Sequence, residues 1–234
     1  MSGVTAPDAT SDACWAQTAS GRRLDLARPV PDGLLDVWRD ICVPLSTCPR
    51  FAGHYRENWP PYFVAQHCVI GGDYLLAKYQ GKPFAYVLAL AFLLHENHEA
   101  IVGDWTRPLI ETMERGLREL AAEQSVDLKT LSIKELRRRV IDPIDAATHR
   151  AAGLDWPLDP RTQGVVHNID ARLLMRERAD LLAAPPARWD ARLEATPPLD
   201  VKGGRIAPMT SPKAAQAWMA RYDNWSARVR AGAA

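Results

Sequence analysis

The sequence lacks a long apolar run, a large net charge and a paired cysteine motif, and each lack removes a class of protein. Its longest hydrophobic stretch, about Phe84 to Leu94, is too short to cross a bilayer. Basic and acidic residues balance, 29 against 28, for a formal charge of +1. That leaves no electrostatic footprint for nucleic acid or an anionic membrane surface. Four cysteines stand at 14, 42, 48 and 68 with no CxxC spacing, which argues against a zinc knuckle or a thioredoxin-like motif. No basic segment followed by an apolar one opens the chain, so no signal peptide is expected. The expectation is a cytoplasmic protein with its cysteines as small buried hydrophobes. β-Branched alternation is also scarce, which disfavours an extensive sheet.

What the chain does have is enough apolar residue for a full core: 234 residues, 47% of them hydrophobic. We expect a flexible tail over 1–13 and one domain over 14–234. Residues 15–30 suggest a short extended pair around Ser20-Gly21. Helical spacing then recurs seven times. Leu34, Leu35, Val37, Trp38 and Ile41 follow Pro31-Asp32. Val64, His67, Cys68, Gly71 and Leu75 share one face of a helix within 60–80. Pro83 opens a third helix reaching about Val102. Pro108 to about Glu123 is amphipathic through Leu109, Met113, Leu117 and Leu120. Leu131 to His149 is helical with a break at Pro143. Thr162 to Leu182 turns Val165, Val166, Ile169, Leu173 and Leu174 inward. Pro212 opens the last helix, with Ala215, Trp218, Met219 and Tyr222 buried. The fold class expected is all-α, a bundle of roughly seven helices with no internal repeat.

Set into these apolar stretches are groups that suit a divalent metal. His67 ends Tyr62-Phe63-Val64-Ala65-Gln66-His67. His95 and Glu96 end Ala89-Leu90-Ala91-Phe92-Leu93-Leu94. Asp170 ends His167-Asn168-Ile169-Asp170. Imidazole and carboxylate together favour a transition metal, and one shared ion would relieve the burial cost of all four. Taken singly, His67 or Asp170 reads as a satisfied core polar group; the joint pattern shifts the balance. The string His95-Glu96-Asn97-His98-Glu99 is not HExxH, because position i+4 is Glu99, so a metalloprotease fails on register.

The neighbours divide between functional and ordinary readings. Glu99 and Asp104 could position or activate a water; equally, Glu99 could be a solvated helix charge and Asp104 the N-cap of the helix near Pro108. His98 reads as a residue behind the site or on the surface. His149 reads as a complement to a helix dipole, and His54 as a surface histidine. Arg50 offers a planar fork for phosphate, or is an ordinary surface arginine. His167 lies one turn before Asp170 on the same face.

The string ending in His67, the pair at 95–96 and the downstream Asp170 resemble the HD-domain metal phosphohydrolases, whose signature is H…HD…D around a divalent metal in an all-α fold. The resemblance is nearer to small bacterial and phage members, the 5′-deoxynucleotidases and phage dATP triphosphohydrolases. It runs over most of the chain. It includes Thr18-Ala19-Ser20-Gly21-Arg22-Arg23, Leu45-Ser46, Arg50-Phe51-Ala52-Gly53-His54 and Val64-Ala65-Gln66-His67. It continues through Leu93-Leu94-His95-Glu96, Glu99-Ala100, Gly103-Asp104, Ile169-Asp170 and, less specifically, Arg205-Ile206-Ala207-Pro208-Met209.

This resemblance implies that His67, His95, Glu96 and Asp170 hold one divalent metal (Co²⁺, Mn²⁺, Zn²⁺, Fe²⁺ or Mg²⁺). It implies that Glu99 and Asp104 handle the proton of water or leaving group, and that Arg50 and His167 face the phosphate. Phe51 would lie beside the sugar. The implied substrate is a small deoxynucleotide, a triphosphate of the dATP type in preference or a monophosphate, and the implied assembly is a homo-oligomer. No nucleic acid or membrane partner is expected. One departure stands out: the family's aspartate is here Glu96, longer by about 1.5 Å against metal–oxygen distances that tolerate little error. The alternatives are a degenerate HD domain that senses nucleotides and, less favoured, a cyclic-nucleotide phosphodiesterase.

Overall fold

The computed structural model describes residues 14–128 and 132–232. The expected tail at 1–13, and Leu131 as the start of a helix, lie outside the described residues.

Chain entry is a hairpin of β1 (Trp15–Gln17) and β2 (Arg23–Asp25), antiparallel with Ala16 opposite Leu24. Its turn uses Gly21 at φ +80°. The turn is pinned where Ser20 donates from both its backbone N–H and its hydroxyl to Asp40, each at 2.7 Å. Leu24 then joins Val30, Ile144 and Ala147 in a small apolar cluster of its own. These six strand residues are the only named strands among the described residues; the rest of the architecture is helical.

The first helical stretch starts later than Pro31-Asp32 suggests. Asp36, not Asp32, caps it by accepting from Arg39 N–H at 2.8 Å, and an Asx-type cap decides where a helix begins more strongly than a preceding proline. A π-helical turn, Val37–Cys42, leads into α1 (Val43–Thr47). A tight turn at Arg50–Gly53 follows.

Three helices form the centre. α2 (Val64–Lys78), α3 (Ala85–Leu94) and α9 (Ser211–Arg230) pack on one another. α3 is apolar nearly all round, and a helix of that kind belongs inside a core. Small residues let the helices approach closely. A Cβ on Gly71 would stand 2.1 Å from the Phe92 ring, and one on Gly72 would stand 2.7 Å from Trp225. Trp218, Tyr222 and Trp225 of α9 are core residues, as their spacing suggests. α7 (Pro160–Leu181) lies against α2 and α3 with Val166, Ile169, Leu173 and Leu181 inward.

α5 (Arg107–Glu123) and α6 (Ile133–Ala152) flank this centre and pack on each other. The apolar stripe of α5 is only partly covered: Leu109 and Leu120 are exposed. α6 does not break at Pro143; the helix runs through it. A proline removes one helical hydrogen bond, and burial of Ile141, Ile144 and Ala147 on either side of it outweighs that loss. Two four-residue helices, α4 (Glu99–Val102) and α8 (Ala191–Glu194), complete the order.

The expected single helix from Pro83 to Val102 is two helices. α3 stops at Leu94, and tight bonds follow, Asn97 N–H to Leu94 O and Glu99 N–H to Glu96 O, both 3.0 Å. His95 and Glu96 therefore sit in a turn, where adjacent side chains are not held to the divergence of a regular helix. Among the described residues, no helix is long and apolar enough to cross a membrane.

Candidate metal centre

α2 brings His67 to the floor of the site, the turn after α3 brings His95 and Glu96, and α7 brings Asp170. One ligand atom from each of these four falls within 4.8 Å of the others. His67 Nε2 lies 3.2 Å from Asp170 Oδ1 and 3.4 Å from His95 Nε2. His95 Nε2 lies 3.8 Å from Asp170 Oδ1 and 3.6 Å from Glu96 Oε1. Donors about 2.1 Å from one shared ion stand roughly 3–4 Å from one another.

The tautomers decide what this cluster wants. His67 Nδ1 lies 2.6 Å from Glu177 Oε1, and His95 Nδ1 lies 2.6 Å from the Phe92 carbonyl oxygen. Both partners only accept, so each Nδ1 carries the proton and donates it outward. Each Nε2 is then a bare lone pair turned inward. Those two lone pairs face Asp170 Oδ1, a buried oxygen that receives no hydrogen bond. Such an arrangement is repulsive unless a cation sits in it. A second proton on His95 would serve the same end. Burial opposes that proton, but Glu96 and then Asp170 hold the His95 pKa well above its usual value. Burial works against the Asp170 carboxylate too, yet His67 and His95 keep it well below the usual range. Two imidazoles and two carboxylates with outward-anchored rings are the donor set and support of a divalent transition-metal site. The four residues could hold a metal ion.

Behind the four clustered residues stands Glu177, which sequence reasoning passed over. It is fully buried, bonds His67 and pairs with Arg50 Nε at 3.2 Å. Burial would raise its carboxyl, but Arg50 and His67 pull it below its usual value. A signal existed: Glu177 follows Asp170 by two helical turns, amid Leu173, Met175 and Leu181.

Glu99 is buried, not a solvated charge. Its pKa is held well above the carboxylate range, by burial first and then by Glu96 and Asp104, and its Oε2 has no partner. Asp104 is not the N-cap of α5; Thr106 takes that position. Instead Asp104 Oδ2 accepts from the Phe51 N–H at 3.1 Å. Its carboxyl is also raised, chiefly by burial, with Arg50 opposing. That bond fastens a strained turn: Phe51 and Ala52 adopt φ +54° and +49°, a left-handed conformation that costs a non-glycine residue about 1–2 kcal/mol. Arg50 is buried and reaches Glu96 Oε1 at 3.9 Å besides Glu177, so it is not a surface arginine.

His98 is buried: its Nδ1 lies 3.1 Å from both oxygens of Asp145, and its Nε2 accepts from Arg137 Nη2 at 2.9 Å. His149 does not complement a dipole with charge. It is fully buried on Trp156, donates to the Asp145 carbonyl at 2.7 Å, and burial lowers its pKa to about 4. His54 is exposed.

Two cavities lie in this region, and the smaller one reaches the cluster. One, of about 830 Å³, is lined by Arg50, Phe51, Asp104, Leu174 and Trp189. The other, of about 430 Å³, is lined by His95, Glu96, Glu99, Arg137, His167 and Asp170. His167 itself is exposed at that rim.

Fold and site together define an all-α protein with a His/Glu/Asp cluster compatible with an HD-type metal site. No protein-family model matches the chain. An uncharacterized protein of Rhodobacter capsulatus is 25% identical over 209 residues, an alignment spanning 89% of this chain and 93% of that protein.

Proposed function

We propose that the protein is a metal-dependent phosphohydrolase of the HD type acting on deoxynucleotides. The observation that carries the reading is the inward-facing pair of imidazole lone pairs, His67 Nε2 and His95 Nε2, opposite an unpartnered Asp170 oxygen. His67, His95, Glu96 and Asp170 would hold the ion. A divalent ion bound there supplies a Lewis acid for a phosphoryl oxygen and lowers the pKa of water.

The chain's own residues supply the rest. Burial opposes the charge of Arg50, but Glu177 and then Asp170 hold it, so this guanidinium can offset charge on the equatorial phosphoryl oxygens. Asp104 is the accessible carboxylate of the pair and takes the proton of the attacking water. Burial, then Glu96 and Asp104, favour the protonated form of Glu99, and that proton would go to the oxygen released when the phosphorus–oxygen ester bond breaks. Water's oxygen forms the new bond to phosphorus, and the nucleoside leaves as its alcohol. Phe51, Leu174 and Trp189 give the larger cavity an apolar lining suited to sugar and base.

The test is a screen of the purified protein against deoxynucleoside mono- and triphosphates with Co²⁺, Mn²⁺, Mg²⁺ or Zn²⁺ added singly. Phosphate or triphosphate release, abolished by His95→Ala and by Asp170→Ala, is the expected result. Activity that outlasts both substitutions, or outlasts removal of metal, overturns it. One observation favours a second reading, a nucleotide sensor without turnover: Glu96 divides its carboxylate, with Oε2 3.6 Å from His98 Nε2 and Oε1 toward the cluster. Saturable nucleotide binding without product would select it.

A further inference from the structure

The chain between Pro185-Pro186 and Pro197-Pro198 leaves α7, forms α8 and brings one large aromatic, Trp189, to the wall of the 830 Å³ cavity. Trp189 is fastened in place. Its backbone N–H donates to Glu194 Oε1 at 2.8 Å, and the same oxygen pairs with Arg178 Nη1 at 2.9 Å. The next residue, Asp190, caps α8 by accepting from the N–H groups of Arg192 and Leu193. Arg178, from α7, lays its guanidinium over the indole, with its central carbon 4.7 Å from the ring centroid.

The two faces of this indole meet different surroundings. Arg178 lines a neighbouring cavity of about 480 Å³ that Trp189 does not line, and Trp189 lines the larger cavity that Arg178 does not. The guanidinium therefore backs the face turned away from the larger cavity. The other face is a rigid, flat, apolar surface, of the kind that takes a second flat ring by offset stacking. The same cavity ends at Arg50, which lies 3.9 Å from Glu96 Oε1. A ligand with an anionic group at Arg50 and a planar ring on Trp189 has the form of a nucleotide.

The walls also say how such a ring is recognised. A site rejects the wrong base through buried polar groups that this base leaves unpaired. Arg50 is the only buried polar residue on these walls, and it belongs to the anionic end. His54, Arg107, Glu111, Arg188 and Asp190 are exposed, and Arg107 is already paired with Glu111 at 2.7 Å. Stacking discriminates little, because every base has a π-face.

We propose that Trp189, backed by Arg178, is the platform on which the base of the ligand stacks, supplying affinity for a nucleobase rather than a choice among bases. That the ring belongs to a nucleotide rests on the phosphohydrolase reading of the cluster.

The experiment is titration calorimetry with Mg²⁺ present. The probes are the 5′-methylenephosphonate analogues of dAMP and dCMP, whose phosphorus–carbon bond resists hydrolysis, and the same sugar phosphonate without a base. The wild type is expected to bind both base-bearing probes about tenfold or more tighter than the base-free one. Trp189→Leu keeps apolar bulk without a stacking face, and it should bring all three probes to within about twofold of one another. Trp189→Phe should fall between. Unchanged affinity for the base-free probe, with unaltered circular dichroism, separates lost stacking from lost structure. The proposal is overturned by a wild type that binds the three probes alike or binds none, or by a Trp189→Leu variant that keeps the full preference. An adenine probe bound about a hundredfold tighter than the cytosine one would also overturn it, because stacking alone does not choose so strongly. Preference lost in Trp189→Leu, in a protein that turns over no nucleotide with any metal, would keep the platform and sink the hydrolase reading. Turnover that persists alongside an unmoved preference would do the reverse.

Discussion

Glu177 holds the proton of His67 across 2.6 Å, and both side chains are fully sealed from solvent. The carboxylate keeps Nδ1 protonated and the ring fixed, so Nε2 can only be a donor of electrons to the site. An outer carboxylate of this kind changes metal affinity by about 10–100-fold when removed. We predict that Glu177→Gln weakens Mn²⁺ or Co²⁺ binding by that range, read by calorimetry. The amide could still accept through its oxygen, so the fold should survive while the charge on Arg50 loses its nearest partner. Unaltered affinity would show that His67 is oriented by packing alone.

The class of the fold was legible because apolar spacing at positions such as Val166, Ile169 and Leu173, or Trp218 and Tyr222, is a local property of the chain. The cluster of His67, His95, Glu96 and Asp170 was legible for the same reason: polar groups inside apolar runs need an explanation. Glu177, Asp145 and Arg137 were not, because their roles depend on which helices meet. Asp145 lies 47 residues from the histidine it holds, and Glu177 lies 110 from His67. The stop of α3 was hidden too, since Leu94 to Val102 keeps helical composition while its hydrogen bonds tighten. Pro143 misled in the opposite direction, for tertiary burial carried α6 across a residue that breaks isolated helices.

Glu96 reaches the cluster with the longer of the two acidic side chains: Oε1 lies 3.6 Å from His95 Nε2 while Oε2 meets His98. Glu96→Asp withdraws the carboxylate by about 1.5 Å against a coordination distance that tolerates a few tenths. We expect metal affinity to drop by at least tenfold in Glu96→Asp. Tighter binding, or hydrolysis gained by a protein otherwise inactive, would mean that the glutamate is a lesion in an aspartate site.

Gly71 ties the core to the site. A methyl group there meets the Phe92 ring at 2.1 Å, and that ring lies 4.4 Å from His95 and 5.6 Å from His67, centroid to centroid. Alanine gains about 1 kcal/mol of helix propensity over glycine, but overpacking a filled core costs about 1–3 kcal/mol. The second effect should win, because Phe92 is fully buried and has no open side to move to. Gly71→Ala is predicted to lower Tm by several degrees and to weaken metal binding together. A loss of Tm with metal affinity intact would show that Phe92 moves without disturbing His95.

His149 sets an acid limit on stability that does not depend on the metal. Its ring is buried, Nδ1–H donates to the Asp145 carbonyl and Nε2 has no partner, so a second proton would be unpaired inside the protein. Burial lowers the folded pKa to about 4 from an ordinary 6.5. The unfolded chain therefore binds a proton between pH 6.5 and 4 that the folded chain refuses. Stability is fully present above pH 6.5 and is lost as the pH falls toward 4, by about 3 kcal/mol from this residue. His149→Phe keeps a ring against Trp156 and removes the titration. Urea unfolding at pH 7.5 and pH 4.5 measures it: the wild type should lose markedly more stability between the two than His149→Phe. Parallel losses in both proteins would place the acid sensitivity in other groups.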